Sequence, residues 1–189
     1  PANHPGAGGV PGNGAATGIG LIHAQLALAS GAKHVFVSNR GEDRQEVANR
    51  LGATGVHPDE LAERIGEVTD GAGADVVIVC IGAPDLANDA LELAAEGGRV
   101  NYFAGFPKGS TSQMEPNLIH YKELQVTGGS NARRRDVIRA IKLLEKGLIN
   151  VEEIVTHTFP LSKVADAYQA VNDRLGVKIC VVPDALYEG

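Results

Sequence analysis

A chain of 189 residues and 19.7 kDa, 43% hydrophobic and 21% charged, is long enough to fold around one substantial core, which excludes fibrous and disordered classes. A net charge of -6 and a pI near 5.5 provide no global positive field for nucleic acid or anionic lipid, and no run of about 18 apolar residues is present to span a membrane. Two cysteines, Cys80 and Cys180, build neither a disulfide framework nor a four-ligand zinc site by themselves, so a cytoplasmic location is expected. The chain starts at Pro1 and shows no charged-then-apolar leader, from which processing or truncation is expected.

The 24 glycines and 9 prolines concentrate at the front, ten of them in the first twenty positions. A parallel sheet should open with a buried strand before its glycine turn, yet residues 6–14 offer only Val10, and the glycines with Pro11 disfavour a central strand there. Residues 1–17 are therefore expected to be irregular. From residue 18 onward short apolar runs alternate with helical patterns, the signature of strand-helix units around a parallel sheet. Residues 21–30, apolar or small and ending at Gly31, suit a helix packed tightly on a sheet, and Val35-Phe36-Val37 reads as a strand. Residues 42–51, with Val47 and Leu51, and residues 58–69, with Leu61, Ile65 and Val68, read as surface helices with one buried stripe.

Residues 75–81 (D-V-V-I-V-C-I) form an unbroken apolar run after the aspartate, as a central parallel strand covered on both faces requires. A helix starting near Pro84 carries Leu86, Ala90, Leu93 and Ala94, stops at Gly97-Gly98, and leads to a strand at 100–103. A short helix at 117–122 precedes a sixth strand at 124–127. Residues 135–146 present Val137, Ile138, Ile141 and Leu144 on one face; Ser162 is placed to cap a final helix to residue 172, and 177–182 is the last strand.

Residues 14–20 (G-A-A-T-G-I-G) open into the first helix, where glycines let backbone N–H groups approach a pyrophosphate at the positive helix end. The strict G-x-G-x-x-G spacing is absent, and such a loop also reads as mere punctuation. Nineteen residues beyond Gly20, at the end of the second strand, stands Ser38-Asn39-Arg40, where a dinucleotide fold places the group that reads the adenosine ribose. An acid there would accept from the ribose 2′-OH and repel a 2′-phosphate. Asn39 is neutral, Ser38 can donate, Arg40 supplies a planar fork suited to phosphate, and Arg44 follows a turn later. This favours NADP(H) over NAD(H); the competing reading makes both arginines ordinary solvated charges.

The segments H-A-Q-L-A-L-A-S-G-A-K-H-V-F-V-S, G-A-D-V-V-I-V-C-I-G, G-G-R-V-N-Y-F-A-G-F-P-K-G, N-L-I-H-Y-K-E-L-Q-V-T-G-G and I-V-T-H-T-F-P-L occur in this order. On them the run from residue 18 to 182 resembles the medium-chain, zinc-dependent alcohol and polyol dehydrogenases, most closely the sorbitol and threonine dehydrogenase branch. The resemblance implies an α/β fold: a Rossmann-type, doubly wound, parallel six-stranded sheet with helices on both faces over residues 18–150. Residues 151–189 would then be a segment that in the family packs against the catalytic domain. It also implies cofactor contacts: Gly18, Ile19 and Gly20 at the pyrophosphate turn; Ser38, Asn39, Arg40 and Arg44 at the adenosine ribose; Ile81 and Gly82 beside it. Ala104, Gly105 and Phe106 would meet the nicotinamide amide, Thr127, Gly128, Gly129 and Ser130 the nicotinamide ribose, and Lys178 a phosphate. The family's first two turn glycines fall at Ala15 and Thr17, a departure from its pattern.

Family members bind substrate oxygen on a zinc ion that stabilises the alkoxide before hydride leaves for the nicotinamide. Those zinc ligands lie in a preceding domain that this chain starts too late to contain, so zinc is expected only there, no catalytic or metal residue is assigned here, and no turnover is expected from this part alone. The implied partners are a nicotinamide dinucleotide and, in the full enzyme, a small alcohol or polyol, within a homo-oligomer; no nucleic-acid or membrane partner is expected. Without its other half the domain should expose apolar surface and self-associate or be marginally stable.

The histidines and cysteines suggest no other site. His23 and His120 lie on packed or short helices, no two histidines share an i, i+4 face, and Cys80 and Cys180 read as small buried hydrophobes. Arg133-Arg134-Arg135 reads as a solvated turn. Two rival functions remain. G-A-A-T-G-I-G also resembles the short-chain dehydrogenases, but the Tyr and Lys four apart that they need are missing: Tyr102, Tyr121 and Tyr168 are followed at that spacing by Phe106, Gln125 and Asn172. The other rival is a non-catalytic nucleotide-binding module.

Overall fold

A computed structural model describes residues 7–10 and 18–187, divided into a larger unit ending at Ile149 and a smaller one beginning at Asn150. In the larger unit β1 (Ala7–Val10), β2 (His34–Ser38), β3 (Thr54–Val56), β4 (Ala74–Val79), β5 (Ala94–Tyr102) and β6 (Gln125–Gly128) form one sheet. All its pairs are parallel and its order is β3-β2-β1-β4-β5-β6. The connections carry α1 (Gly18–Ala29), α2 (Glu42–Arg50), α3 (Leu61–Thr69), α4 (Leu86–Leu93) and α5 (Pro116–Tyr121), and α6 (Arg134–Glu145) follows the last strand. Strands are added one way from β1 to β3 and the other way from β4 to β6. Right-handed crossovers therefore set α1 and α2 on one face and α3, α4 and α5 on the other. The expected doubly wound Rossmann-type α/β fold is the one observed.

Burial follows the side-chain pattern. On α3, Leu61 and Ile65 stand one turn apart and join Phe36, Val77, Leu91 and Val100 in a buried cluster; each such side chain contributes about 1.5–3 kcal/mol by leaving water. The helix ends where Asp70 and Gly71 take left-handed backbone angles, which releases the carbonyl ladder and turns the chain into β4. The end of α4 is closed from a distance: Lys122 Nζ donates to the carbonyls of Leu91, Glu92 and Ala94 at 3.2, 2.8 and 2.9 Å, placing a cation on the negative helix end.

Several sequence expectations need correction. Residues 6–14 were expected to be too rich in glycine and proline for a central strand, yet β1 lies at the centre of the sheet. Gly8 pairs with Val35 on one side and Val76 on the other, and Gly9 with Phe36 and Val77. Pairing on both sides offsets the extra backbone entropy that a strand glycine loses, about 1 kcal/mol, and Pro11 follows rather than interrupts the paired residues. The rest of the segment expected to be irregular, including the glycine turn at 14–17, lies outside the described residues. Strand β3 was not anticipated, because three residues centred on Gly55 carry no apolar run. A Cβ on Gly55 would strike the Gln45 backbone, so glycine lets α2 lie directly on the sheet edge. Strand β5 begins at Ala94, six residues before the expected start, with a register shift opposite Ala74–Val76 and a positive φ at Gly97 absorbing the irregularity.

In the smaller unit β7 (Val155–Pro160) and β8 (Lys178–Val182) are parallel neighbours joined through α7 (Val164–Asn172), which buries Ala167 and Ala170. Ser162 does not cap this helix as expected. Its backbone N–H and its hydroxyl both bond the Asp184 carboxylate instead, and that donation holds the carboxyl below its ordinary pKa. Among the described residues no helix is long and apolar enough to cross a membrane.

Candidate functional site

Parallel strands share one C-terminal edge, and in a doubly wound sheet the reversal of strand order opens a crevice along it. Most residues singled out from the sequence stand on this edge of the larger unit. Gly18, Ile19 and Gly20 form the first turn of α1, with both glycines buried and Ile19 exposed. Ser38 ends β2, and Asn39, Arg40 and, on α2, Arg44 follow. Ile81 and Gly82 follow β4; Ala104, Gly105 and Phe106 follow β5; Thr127 and Gly128 end β6, beside Asn101 and Tyr102 of β5, and Gly129 and Ser130 come next. Lys178 is the first residue of β8 in the smaller unit.

The turn after β2 is tightly specified. Ser38 is fully buried and its hydroxyl has no hydrogen-bond partner, a condition that costs about 1–3 kcal/mol until a ligand or water satisfies it. Asn39 is 5% exposed. Its N–H donates to Val56 O at 3.0 Å, its Oδ1 accepts from Gly41 N–H at 2.8 Å, and its carbonyl accepts from Gln45 Nε2 at 2.6 Å. Because Gly41 N–H can only donate, Asn39 Oδ1 must face it, which assigns the amide orientation and leaves the NH2 group as the donor outside the turn. Arg40 is exposed next to it. The sequence had not pointed to Gln45; a lone polar residue on a surface helix carries no signal that its amide reaches back across six residues.

The exits of β4 and β5 meet. A Cβ on Gly82 would collide with the Gly105 carbonyl oxygen, so the two backbones touch and only glycine fits at position 82. Phe103 and Ala104 N–H both donate to Val79 O, at 3.1 and 3.0 Å, drawing the second chain across the end of the first. The Phe103 ring stands edge-on to His23 of α1, with centroids 4.6 Å apart, and Phe106 lies 5.9 Å from Tyr102. Burial holds the His23 imidazole below its ordinary pKa and pushes the Cys80 thiol up to about 12, which keeps that thiol protonated and inert. A cleft of about 720 Å³ opens between Pro84, Asn88 and residues 111–115.

Among the described residues no three His, Cys, Asp or Glu side chains converge to hold a metal ion, so these residues do not fit a zinc ion. The donors gathered after β2, the glycine-bared backbones after β4 and β5, and the start of α1 fit a nucleotide instead: they combine polar hydrogen, backbone access and a positive helix end.

Fold and edge together define a Rossmann-type nucleotide-binding domain. Residues 18–146 match the family model described as zinc-binding dehydrogenase. A curated relative, L-threonine 3-dehydrogenase from Bacillus licheniformis, is 29% identical over 87% of this chain and 49% of its own length, so the chain spans about half the length of that relative. Two solved structures are similar. A zinc-binding dehydrogenase of Sinorhizobium meliloti 1021, bound to NADP, is 29% identical, with a TM-score of 0.82 over 94% of this chain and 52% of that one. An alcohol dehydrogenase of E. coli CFT073, described as short-chain and complexed with NADH, is 26% identical, with a TM-score of 0.79 over 93% and 51%. This chain belongs to the zinc-binding dehydrogenase family, and the two similar structures hold NADP and NADH.

Proposed function

We propose that this chain is the NADP(H)-binding part of a zinc-dependent alcohol or polyol dehydrogenase, in which hydride passes between a secondary alcohol carbon and the nicotinamide. The observation that carries the choice of nucleotide is the turn after β2. Asn39 Oδ1 is already engaged by Gly41 N–H, so the side chain offers a donor where an acid would offer an acceptor, next to the exposed Arg40. A donor and a guanidinium suit the oxygens of a 2′-phosphate. The buried, unpartnered hydroxyl of Ser38 and the NADP bound to the Sinorhizobium neighbour support the same reading.

On this reading the glycines at 18, 20, 82, 105, 128 and 129 give backbone access along the dinucleotide. The zinc, the proton relay and the alcohol or polyol pocket belong to the half of the enzyme outside the matched region. That half would cover the exposed side chains Val137, Ile138, Ile141 and Leu144 of α6, within a homo-oligomeric enzyme. Unpaired Cys80 and Cys180 agree with a cytoplasmic setting.

Fluorescence titration with NADPH and NADH, for the wild-type chain and Arg40→Ala, tests the reading. NADPH should bind the wild type at least about tenfold more tightly, and Arg40→Ala should lose about tenfold to a hundredfold for NADPH, the range of one charge-assisted hydrogen bond, with NADH unchanged. Equal affinities in the wild type, or equal losses in the variant, would refute it.

A further inference from the structure

Gln45 is half-buried and has no charge to offer a ligand, yet its side chain makes a short hydrogen bond in the candidate site: Nε2 donates to the carbonyl of Asn39 at 2.6 Å. That carbonyl belongs to the same planar peptide unit as the N–H of Arg40. Holding the oxygen fixes the plane, and with it the N–Cα bond from which the Arg40 side chain departs. The other two bonds of the turn hold Asn39 itself, through Val56 O and Gly41 N–H, but neither grips the Asn39–Arg40 peptide.

The clamp is also well founded. Gln45 N–H donates to Gly41 O at 3.2 Å, across the same turn. The Gln45 backbone lies against Gly55 of β3 so closely that a methyl group there would overlap it. Asn49 Oδ1, one turn on, accepts from Gly55 N–H at 2.8 Å. The amide that holds the Asn39 carbonyl is therefore mounted on a stretch of helix pinned to the sheet, so that little freedom remains to be lost when a ligand binds.

We propose that Gln45 is a positioning residue for 2′-phosphate recognition: it touches no ligand and sets discrimination by orienting the peptide between Asn39 and Arg40. The inference rests on the NADP(H) reading of the turn. It predicts that the preference for a 2′-phosphate depends on a residue that contacts no phosphate oxygen, through one bond to the Asn39 carbonyl.

The full chain and its Gln45→Met variant, which keeps the side-chain length and removes the donor, are titrated calorimetrically with adenosine 2′,5′-bisphosphate and with adenosine 5′-monophosphate. The bisphosphate should bind the variant about tenfold more weakly and the monophosphate within about twofold of wild type. Hydrogen exchange supplies a readout free of ligand: the Gly41 amide should exchange faster in Gln45→Met, while the Leu51 and Ala53 amides at the far end of α2 keep their wild-type rates. Equal losses for both nucleotides, no loss for either, or faster exchange along the whole of α2 would each overturn the assignment. A wild type that prefers the bisphosphate beside an unchanged variant defeats the role of Gln45 alone; a wild type without that preference defeats the NADP(H) reading and this inference with it.

Discussion

Helices α3 and α6 carry comparable apolar stripes and meet opposite fates. Leu61 and Ile65 of α3 are 4% and 2% exposed, whereas Val137, Ile138, Ile141 and Leu144 of α6 are 44–50% exposed, and α6 buries no residue at all. The cause is topological. Helix α3 is a crossover, held between β3 and β4, so the sheet that its chain must rejoin also covers its stripe. Helix α6 follows β6 and no return strand of this sheet draws it in. Its bonds are local, such as that from Arg133 N–H to Asp136 Oδ2 at 3.0 Å, where α4 is closed by Lys122 from across the fold. Periodicity thus names the face of a helix; the chain that follows decides what covers it.

The widest separation between the two helices should come from matched truncations in the same chain. Ile65→Ala removes a buried side chain and should cost about 2–5 kcal/mol in urea unfolding, while Ile141→Ala should change stability by less than about 0.5 kcal/mol. Similar losses at both sites would break the comparison. A smaller effect is expected where a distant cap is removed: Lys122→Met leaves three carbonyls at the end of α4 without their cation and should cost about 1–3 kcal/mol, seen as a lower urea midpoint with an unchanged slope.

The smallest effect concerns α1, a packed helix like α3. Its His23 has a lowered pKa through burial, so as pH falls through about 6.5 the unfolded chain takes up a proton before the native one does. The contribution is full above that value and is lost toward the lowered native pKa. From pH 7.5 to about 5.5 wild-type stability should fall more than that of His23→Gln, by up to about 1 kcal/mol; parallel pH profiles would show that His23 titrates alike in both states.

Much of the larger unit was legible because its helices and strands state their own periods. The β-branched run before Cys80 read as a central strand and is β4; the stripe of Leu61, Ile65 and Val68 read as a buried face and is one at Leu61 and Ile65, whereas Val68, at the end of the helix, is exposed. What escaped depends on neighbours distant in sequence. Strand β1 is made of residues with poor strand propensity and exists because β2 and β4 pair with it on both sides. Strand β3 is three residues long and is recognised only when Gly55 is seen against Gln45. Within the candidate site the sequence marked Ser38, Asn39 and Arg40, since a change of charge at a strand end is visible in one dimension. It could not mark Gln45, whose role is one hydrogen bond to a backbone oxygen, nor the contact between Gly82 and Gly105.

That glycine contact constrains how such a domain can diversify. With the Gly82 and Gly105 backbones pressed together, the two chain exits turn on a single pin, and an inserted residue on either side of it would displace both. Insertions beyond Phe106 leave the pin untouched. Lengthening or alteration of this rim is therefore channelled into residues 107–115, of which 111–115 border the cleft beside Pro84 and Asn88, so that one part of the edge can drift while the part at the Gly82–Gly105 contact stays fixed.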